Sequence, residues 1–174
     1  AEARSFVSGS AATWDLIQIP LLDSFAAAAA GVYGVSESYI YTVEAFGDYL
    51  RHLRPGGYLA ITRWLKLPPR DSLKLFATAT EALGRAGVAA PERRIALIRG
   101  WNTTTLLVRN GDLGRSELAG IRAFAEARSF DLAHLPGMAS SEANRANLLS
   151  QPFFYHATKA LAGTERGDFL ARYK

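Results

Sequence analysis

Apolar residues follow two different periods along the chain. Trp14 to Ile19 (WDLIQI) is a short, mostly apolar run halted at Pro20, where the backbone loses its donor, and it predicts a buried strand. Ile40, Val43, Ala45, Phe46, Tyr49, Leu50 and Leu53 then recur at helical spacing, with Ser36 or Ser38 placed to cap the helix and Arg54 as its expected last residue. Pro55-Gly56-Gly57 reads as a stop signal, so Tyr58 to Leu65 (YLAITRWL) is expected as a second buried strand. The unit is strand, helix, strand.

After Pro68-Pro69, Asp71 is placed to cap a helix that turns Leu73, Leu75, Phe76, Ala79, Ala82 and Leu83 to one side and runs up to Gly87. Arg94 to Ile98 and Thr103 to Val108 are β-rich runs around Arg99-Gly100-Trp101-Asn102, which predicts an antiparallel hairpin closed by Asn110-Gly111-Asp112. Long βα connections followed by a hairpin imply an α/β fold, with a mainly parallel sheet that carries an antiparallel edge and is covered by helices. Beyond the hairpin the pattern predicts a helix over Ser116 to Arg128, a short strand over Phe130 to Leu135 and a turn at Pro136-Gly137. Three helical pieces should follow: Ser140 or Ser141 to Leu149, one with Pro152 in its first turn to Leu161, and one from Thr164 to Tyr173. The expected division is an α/β part over residues 1–112 and a helical extension over 113–174 packed on it.

With 174 residues, 49% hydrophobic and 21% charged, the chain can build one core and belongs to neither the disordered nor the membrane-bundle class. The absence of cysteine removes disulfides, thiolate zinc sites, iron–sulfur clusters and thiol nucleophiles together. A net charge of +4 is spread out, and its closest clusters are Arg51 with Arg54 and Arg93 with Arg94. Nucleic acid is therefore not the expected partner. The longest weakly charged run, Ile19 to Val35, is interrupted by Pro20 and Asp23 and falls short of the roughly 20 residues needed to cross a bilayer, so no direct membrane contact is expected. No basic region followed by an apolar stretch opens the chain at Ala1; it reads as cut rather than begun, and a cytoplasmic setting is expected.

Few residues carry obvious chemistry. Gly31-Val32-Tyr33-Gly34 lacks the spacing of a phosphate-binding loop, and Gly34-Val35-Ser36-Glu37-Ser38 lacks the closing glycine of a nucleophile elbow. His52, His134 and His156 have no partner four residues away with which to form a metal face, and structural roles are the favoured reading. Asn102-Thr103-Thr104 reads as a turn opening a strand. Asp23 stands apart, because it follows the carboxyl end of the first strand, where open α/β sheets bind ligands. A carboxylate there can hold a cationic amine or take a proton, or it can cap the turn that follows. Glu2 can accept hydrogen bonds from a ligand amide or amine, or fray with the terminus.

The ordered landmarks Glu2-Ala3-Arg4-Ser5-Phe6, WDLIQI, Asp23-Ser24, SESYIYTVEAF, LRPGG and YLAITRW resemble the spermidine synthase family and its spermidine-synthase-like relatives, proteins of the class I methyltransferase fold. The resemblance covers residues 2 to 110. It implies the C-terminal part of a Rossmann-like methyltransferase sheet, parallel strands plus an antiparallel hairpin, entered just before the fourth of seven strands. The first three strands and their glycine-rich nucleotide loop then lie outside this chain. S-adenosylmethionine or its decarboxylated form is the implied cofactor, consumed as substrate and bound weakly by this chain alone, and no metal is implied. Glu2 and Ala3 fall where the family contacts the adenine. Asp23 falls on the second of two aspartates that handle the attacking amine, and Pro20 stands at the first, the base. The family's glutamine near the end of the fifth strand is replaced around Thr62-Arg63, and its Pro-Thr-Tyr-Pro turn by Gly100-Trp101-Asn102.

The implied function is aminopropyl or methyl transfer to a small-molecule amine or other acceptor. The alternative is a non-catalytic assembly module that has lost its base at Pro20. Some relatives fuse this domain to a membrane-spanning portion, which allows a membrane-attached parent. A strand at Trp14 to Ile19 without its usual neighbour exposes an apolar edge, so a homodimer or an exchanged segment is expected to cover it.

Overall fold

The computed structural model describes residues 3–21 and 39–172. A short helix, α1 (Ala3–Ser8), leads into strand β1 (Trp14–Ile19), whose bounds are those of the apolar run. Strand β1 pairs in parallel with β2 (Leu53–Trp64), with Ile17 opposite Leu59 and Ile19 opposite Ile61. Between them lies α2 (Val43–Arg51), capped by Thr42, whose hydroxyl accepts from the Ala45 N–H at 3.2 Å. The predicted caps, Ser36 and Ser38, lie outside the described residues.

Helix α2 stops at Arg51, short of the expected Arg54, and Pro55-Gly56-Gly57 belongs to β2 instead of separating it from the helix. These residues form a bulge. The register jumps from Trp14 opposite Leu53 to Leu16 opposite Tyr58, and the Gly56 N–H to Asn110 O and Asn110 N–H to Gly57 O bonds, both 2.8 Å, hold the extra residues. Glycine at position 57 is a packing requirement: a Cβ there would stand 3.0 Å from each of the carbonyl oxygens of Trp14, Asp15 and Arg54.

Helix α3 (Arg70–Arg85) follows Pro69, with Asp71 inside its first turn and not at the cap, where no side chain bonds. Its far end is closed by Gly87 at φ +82°, with Gly87 N–H on Gly84 O and Val88 N–H on Leu83 O, both 3.0 Å. The predicted hairpin is present as β3 (Ile95–Arg99) and β4 (Thr103–Arg109), followed by α4 (Arg115–Ala127) and β5 (Asp131–His134). Helices α5 (Phe153–Ala162) and α6 (Arg166–Arg172) end the described chain. The helix expected over Ser140 to Leu149 is not formed; Ser140–Glu142 makes a single 3₁₀ turn, and an irregular segment follows.

The fold is α/β, built on a five-stranded mixed sheet in the order β1-β2-β4-β3-β5. Only β1 and β2 are parallel among the described strands, so the balance is the reverse of the mainly parallel sheet expected. The reason is placement: the hairpin sets its return strand, β4, directly against β2, and β5 then pairs antiparallel on the far side of β3.

Helices α2, α3 and α5 cover one face, where Phe46, Phe76 and Phe154 share a core with Leu59, Ile61 and Leu97. Helix α4 covers the other face near β3 and β5, over Ala96, Ile98 and Leu132. Strand β3, buried on both sides, is apolar up to Arg99. Strand β1 forms one edge, and Leu16 on its second face remains 54% exposed.

Replacing Gly57 by Ala should cost about 2 kcal/mol, because three backbone oxygens cannot retreat together. Gly84→Ala, on the exposed side of α3 with no atom within 4 Å, should instead add up to about 1 kcal/mol through helix propensity. Urea unfolding of the two variants checks the opposite signs.

Candidate functional site

Strands β1 and β2 are parallel and paired to Ile19 and Ile61, where β1 leaves the sheet into Pro20 and Leu21 while β2 continues through Thr62, Arg63 and Trp64 against β4. This is the end of an α/β sheet at which ligands bind. The Arg63 guanidinium lies over the Tyr41 ring, 4.4 Å from its centroid, an arrangement that holds a cation in place. Thr62 faces the other way and shares a hydrogen bond of 3.0 Å with Thr105. The hairpin turn reaches the same end, since Trp64 stands opposite Thr103 and the Leu65 N–H donates to Asn102 O at 2.7 Å. Trp101 in that turn is 74% exposed and Tyr39 is 53% exposed. One cation, Arg63, thus lies with the Tyr41 ring toward the end of β2 that the exposed Trp101 turn also reaches.

Of the residues singled out in the sequence, Asp23 and Glu2 lie outside the described residues. Ala3 opens α1, on the amino-terminal side of β1. Pro20 directly follows β1, is exposed and has no group that titrates.

The strongest electrostatic arrangement lies elsewhere. Arg99, at the end of β3, and Asp131, at the start of β5, form an ion pair of 2.8 Å with side chains only 3% and 1% exposed. The Asp131 carboxylate also accepts the backbone N–H groups of Arg145 at 2.5 Å, Ala146 at 3.0 Å and Asn147 at 2.8 Å. Burial pushes the Asp131 carboxyl upward, but these three bonds and the Arg99 charge outweigh it and hold the group below the usual carboxylate range. Arg99 in turn donates to Asn147 O at 2.6 Å and to Asn144 Oδ1 at 3.3 Å, and its guanidinium sits 5.4 Å from the Phe154 ring centroid. All three Arg99 bonds leave from Nη2, and their acceptors are groups of the protein itself. The work of this cluster is structural.

Two of the three histidines are likewise committed. His52 places Nδ1 2.8 Å from Asp48 O and Nε2 2.9 Å from Ser10 O, tying α2 to the segment before β1. His134 donates from Nε2 to Glu92 O at 3.0 Å and packs edge-on to Phe76, and burial depresses its pKa despite that bond. His156 is exposed beside Tyr155. Among the described residues no group of three or more His, Asp or Glu side chains could hold a metal ion, and no helix is long and apolar enough to cross a membrane. No family model matches the chain, and no curated protein matches it.

Asp131→Ala should destabilise the fold by about 4 kcal/mol, because it strands a buried guanidinium and three backbone donors. Replacing both partners with apolar residues, as in R99M/D131L, should recover a large part of that loss, which thermal or urea unfolding would read.

The pH dependence follows from His134. Its folded pKa lies below its unfolded value near 6.5, so the unfolded chain takes up the proton first. The stability it contributes is complete above that value and declines as pH falls through it, by at most about 1.4 kcal/mol per pH unit. In His134→Gln that share of the slope between pH 7 and pH 5 should vanish, as unfolding curves across the range would show.

Proposed function

We propose that this chain is the acceptor-side part of a spermidine-synthase-like transferase, moving an aminopropyl or methyl group from decarboxylated S-adenosylmethionine or S-adenosylmethionine to a small-molecule amine or other acceptor. One observation carries the reading. Strands β1 and β2 run parallel with Ile19 opposite Ile61, so the chain leaves β1 through Pro20 and Leu21 beside the last residues of β2, Arg63 among them. The sequence landmarks from Glu2 to Trp64 support it independently, as does the antiparallel hairpin that follows the parallel pair.

In this reading the sulfonium of the donor makes its attached carbon electrophilic. The acceptor's lone pair forms the new bond to that carbon as the carbon–sulfur bond breaks, leaving a neutral thioether. Asp23 orients the acceptor and steadies the positive charge it gains, and Glu2 with Ala3 borders the adenine. Pro20 cannot remove the acceptor's proton, so that proton leaves to water or to a base supplied by another segment. The transfer itself calls for no metal.

Pro20 also favours a second reading, a module with the transferase scaffold and no catalysis. Two measurements separate them. Calorimetry of this chain with either nucleotide should give binding weaker than micromolar, because no glycine-rich nucleotide loop is found in its sequence; micromolar affinity would overturn the assignment to the acceptor side. In the protein that carries the chain, aminopropyl transfer to putrescine that is lost in Asp23→Asn supports the enzyme. Methyl transfer alone identifies a methyltransferase acting on another acceptor, and no transfer from either donor identifies the non-catalytic module.

A further inference from the structure

We propose that His52 is a proton-operated latch: its imidazolium holds α1 and the segment before β1 against α2, and the neutral ring releases them. Both ring nitrogens face groups that can only accept. Nδ1 lies 2.8 Å from the Asp48 carbonyl oxygen, and Nε2 lies 2.9 Å from that of Ser10. A neutral imidazole carries one N–H and one lone pair, whereas the imidazolium carries two N–H groups. Only the protonated ring can therefore donate to both carbonyls. In the neutral ring one nitrogen turns a lone pair toward a carbonyl oxygen at hydrogen-bond distance, and that contact is repulsive.

The two acceptors belong to different parts of the fold. Asp48 is one turn back on α2, so its bond is local, whereas Ser10 lies 42 positions away between α1 and β1. A neutral ring that keeps its proton on Nδ1 retains the local bond and gives up Ser10. The segment it gives up is lightly held. Val7 packs on the core, but Phe6 is 63% exposed, and the Gly9 and Ser10 N–H groups bond only within the segment, to Ser5 O at 3.1 Å and Val7 O at 3.2 Å. Besides the ring, Arg4 Nε donates to Asp48 Oδ2 at 3.2 Å, and the Trp14 N–H donates to His52 O at 2.8 Å. The Trp14 ring centroid stands 5.8 Å from that of His52, where an aromatic face favours a cation. The charged groups on the surrounding elements are Arg4 on α1, Asp48 and Arg51 on α2, Asp15 on β1 and Arg54 on β2. Arg4 and Arg51 engage Asp48, and Arg54 engages Asp15 at 2.8 Å. Carboxylates and guanidinium groups ordinarily titrate outside pH 5.5 to 8 and imidazoles within it, so the ring is what changes in that range. The inference is independent of the transferase reading, since none of these bonds involves Asp23, Arg63 or Pro20.

Hydrogen exchange of the chain at pH 5.5 and pH 8, expressed as protection factors, reads the latch at the Gly9, Ser10 and Trp14 amides. Relative to amides of β3 and β4, their protection should fall about tenfold at pH 8, roughly the effect of losing one hydrogen bond to a charged donor. In His52→Gln, whose side chain does not titrate, protection at the three amides should be low and equal at both pH values. His134→Gln should leave the tenfold change in place. Nitrogen-15 NMR of the unsubstituted chain adds a readout that a purely structural role for the ring would not move: at pH 5.5 His52 should show two slowly exchanging ring N–H protons. The proposal is overturned by equal relative protection at both pH values, by a response that survives His52→Gln or disappears in His134→Gln, or by a His52 ring holding a single proton at pH 5.5.

Discussion

A guanidinium and a carboxylate, both removed from water, determine how the carboxyl-terminal segment meets the sheet. Taking two such charges out of solvent costs several kcal/mol for each, and attraction between them offsets this only when their remaining hydrogen-bonding positions are also filled. Asp131 meets that demand with three successive backbone donors from residues 145–147, while Arg99 donates from Nη2 to the Asn147 carbonyl and the Asn144 amide oxygen and lies beside the Phe154 ring. The arrangement joins the end of β3, the start of β5, the irregular segment and the first turn of α5 at a single point. Displacing any one of these pieces would leave buried charge without a partner, so the site behaves as all or nothing.

That constraint also explains what sequence patterning can and cannot reveal. Runs marked by apolar period and punctuation are legible: the hairpin and the long third helix follow from them, as do the bounds of Trp14 to Ile19, although that strand lies at an edge with only Ile19 buried and is not the buried strand its apolar run predicts. Ser140 to Leu149 carries a capping serine, yet the backbone donors that a helix would spend on its own carbonyls go to Asp131 instead. The pairing of Arg99 with Asp131 spans 32 positions, and the only hint in the sequence is one arginine closing an otherwise apolar strand. Pro55-Gly56-Gly57 misleads for a related reason, since Gly57 admits the Trp14 and Asp15 carbonyls of the neighbouring strand and the triplet does not end a helix.

The candidate site is legible in a different sense. Its location follows from the parallel pair, and Pro20 could be placed beside it by counting from a strand end, whereas Asp23 lies outside the described residues. Arg63 could not be singled out from Thr62, because side chains alternate across a strand and a shift of one position exchanges faces. The structure puts Arg63 on the α2 side, over Tyr41, and gives that end of the sheet a fixed cation next to aromatic surface.

Strand β4 joins the two halves of the sheet, with β2 on one side and β3 on the other. As the chain emerges during synthesis, β1 and β2 are complete well before β4 exists, so the inner edge of β2 waits unpaired through the whole of α3 and β3. Tyr58 to Trp64 is a long apolar run to leave open in a growing polypeptide. Rapid closure of the short hairpin is what shortens that wait, because β4 arrives with β3 already aligned to it and seals the vulnerable edge in one docking step.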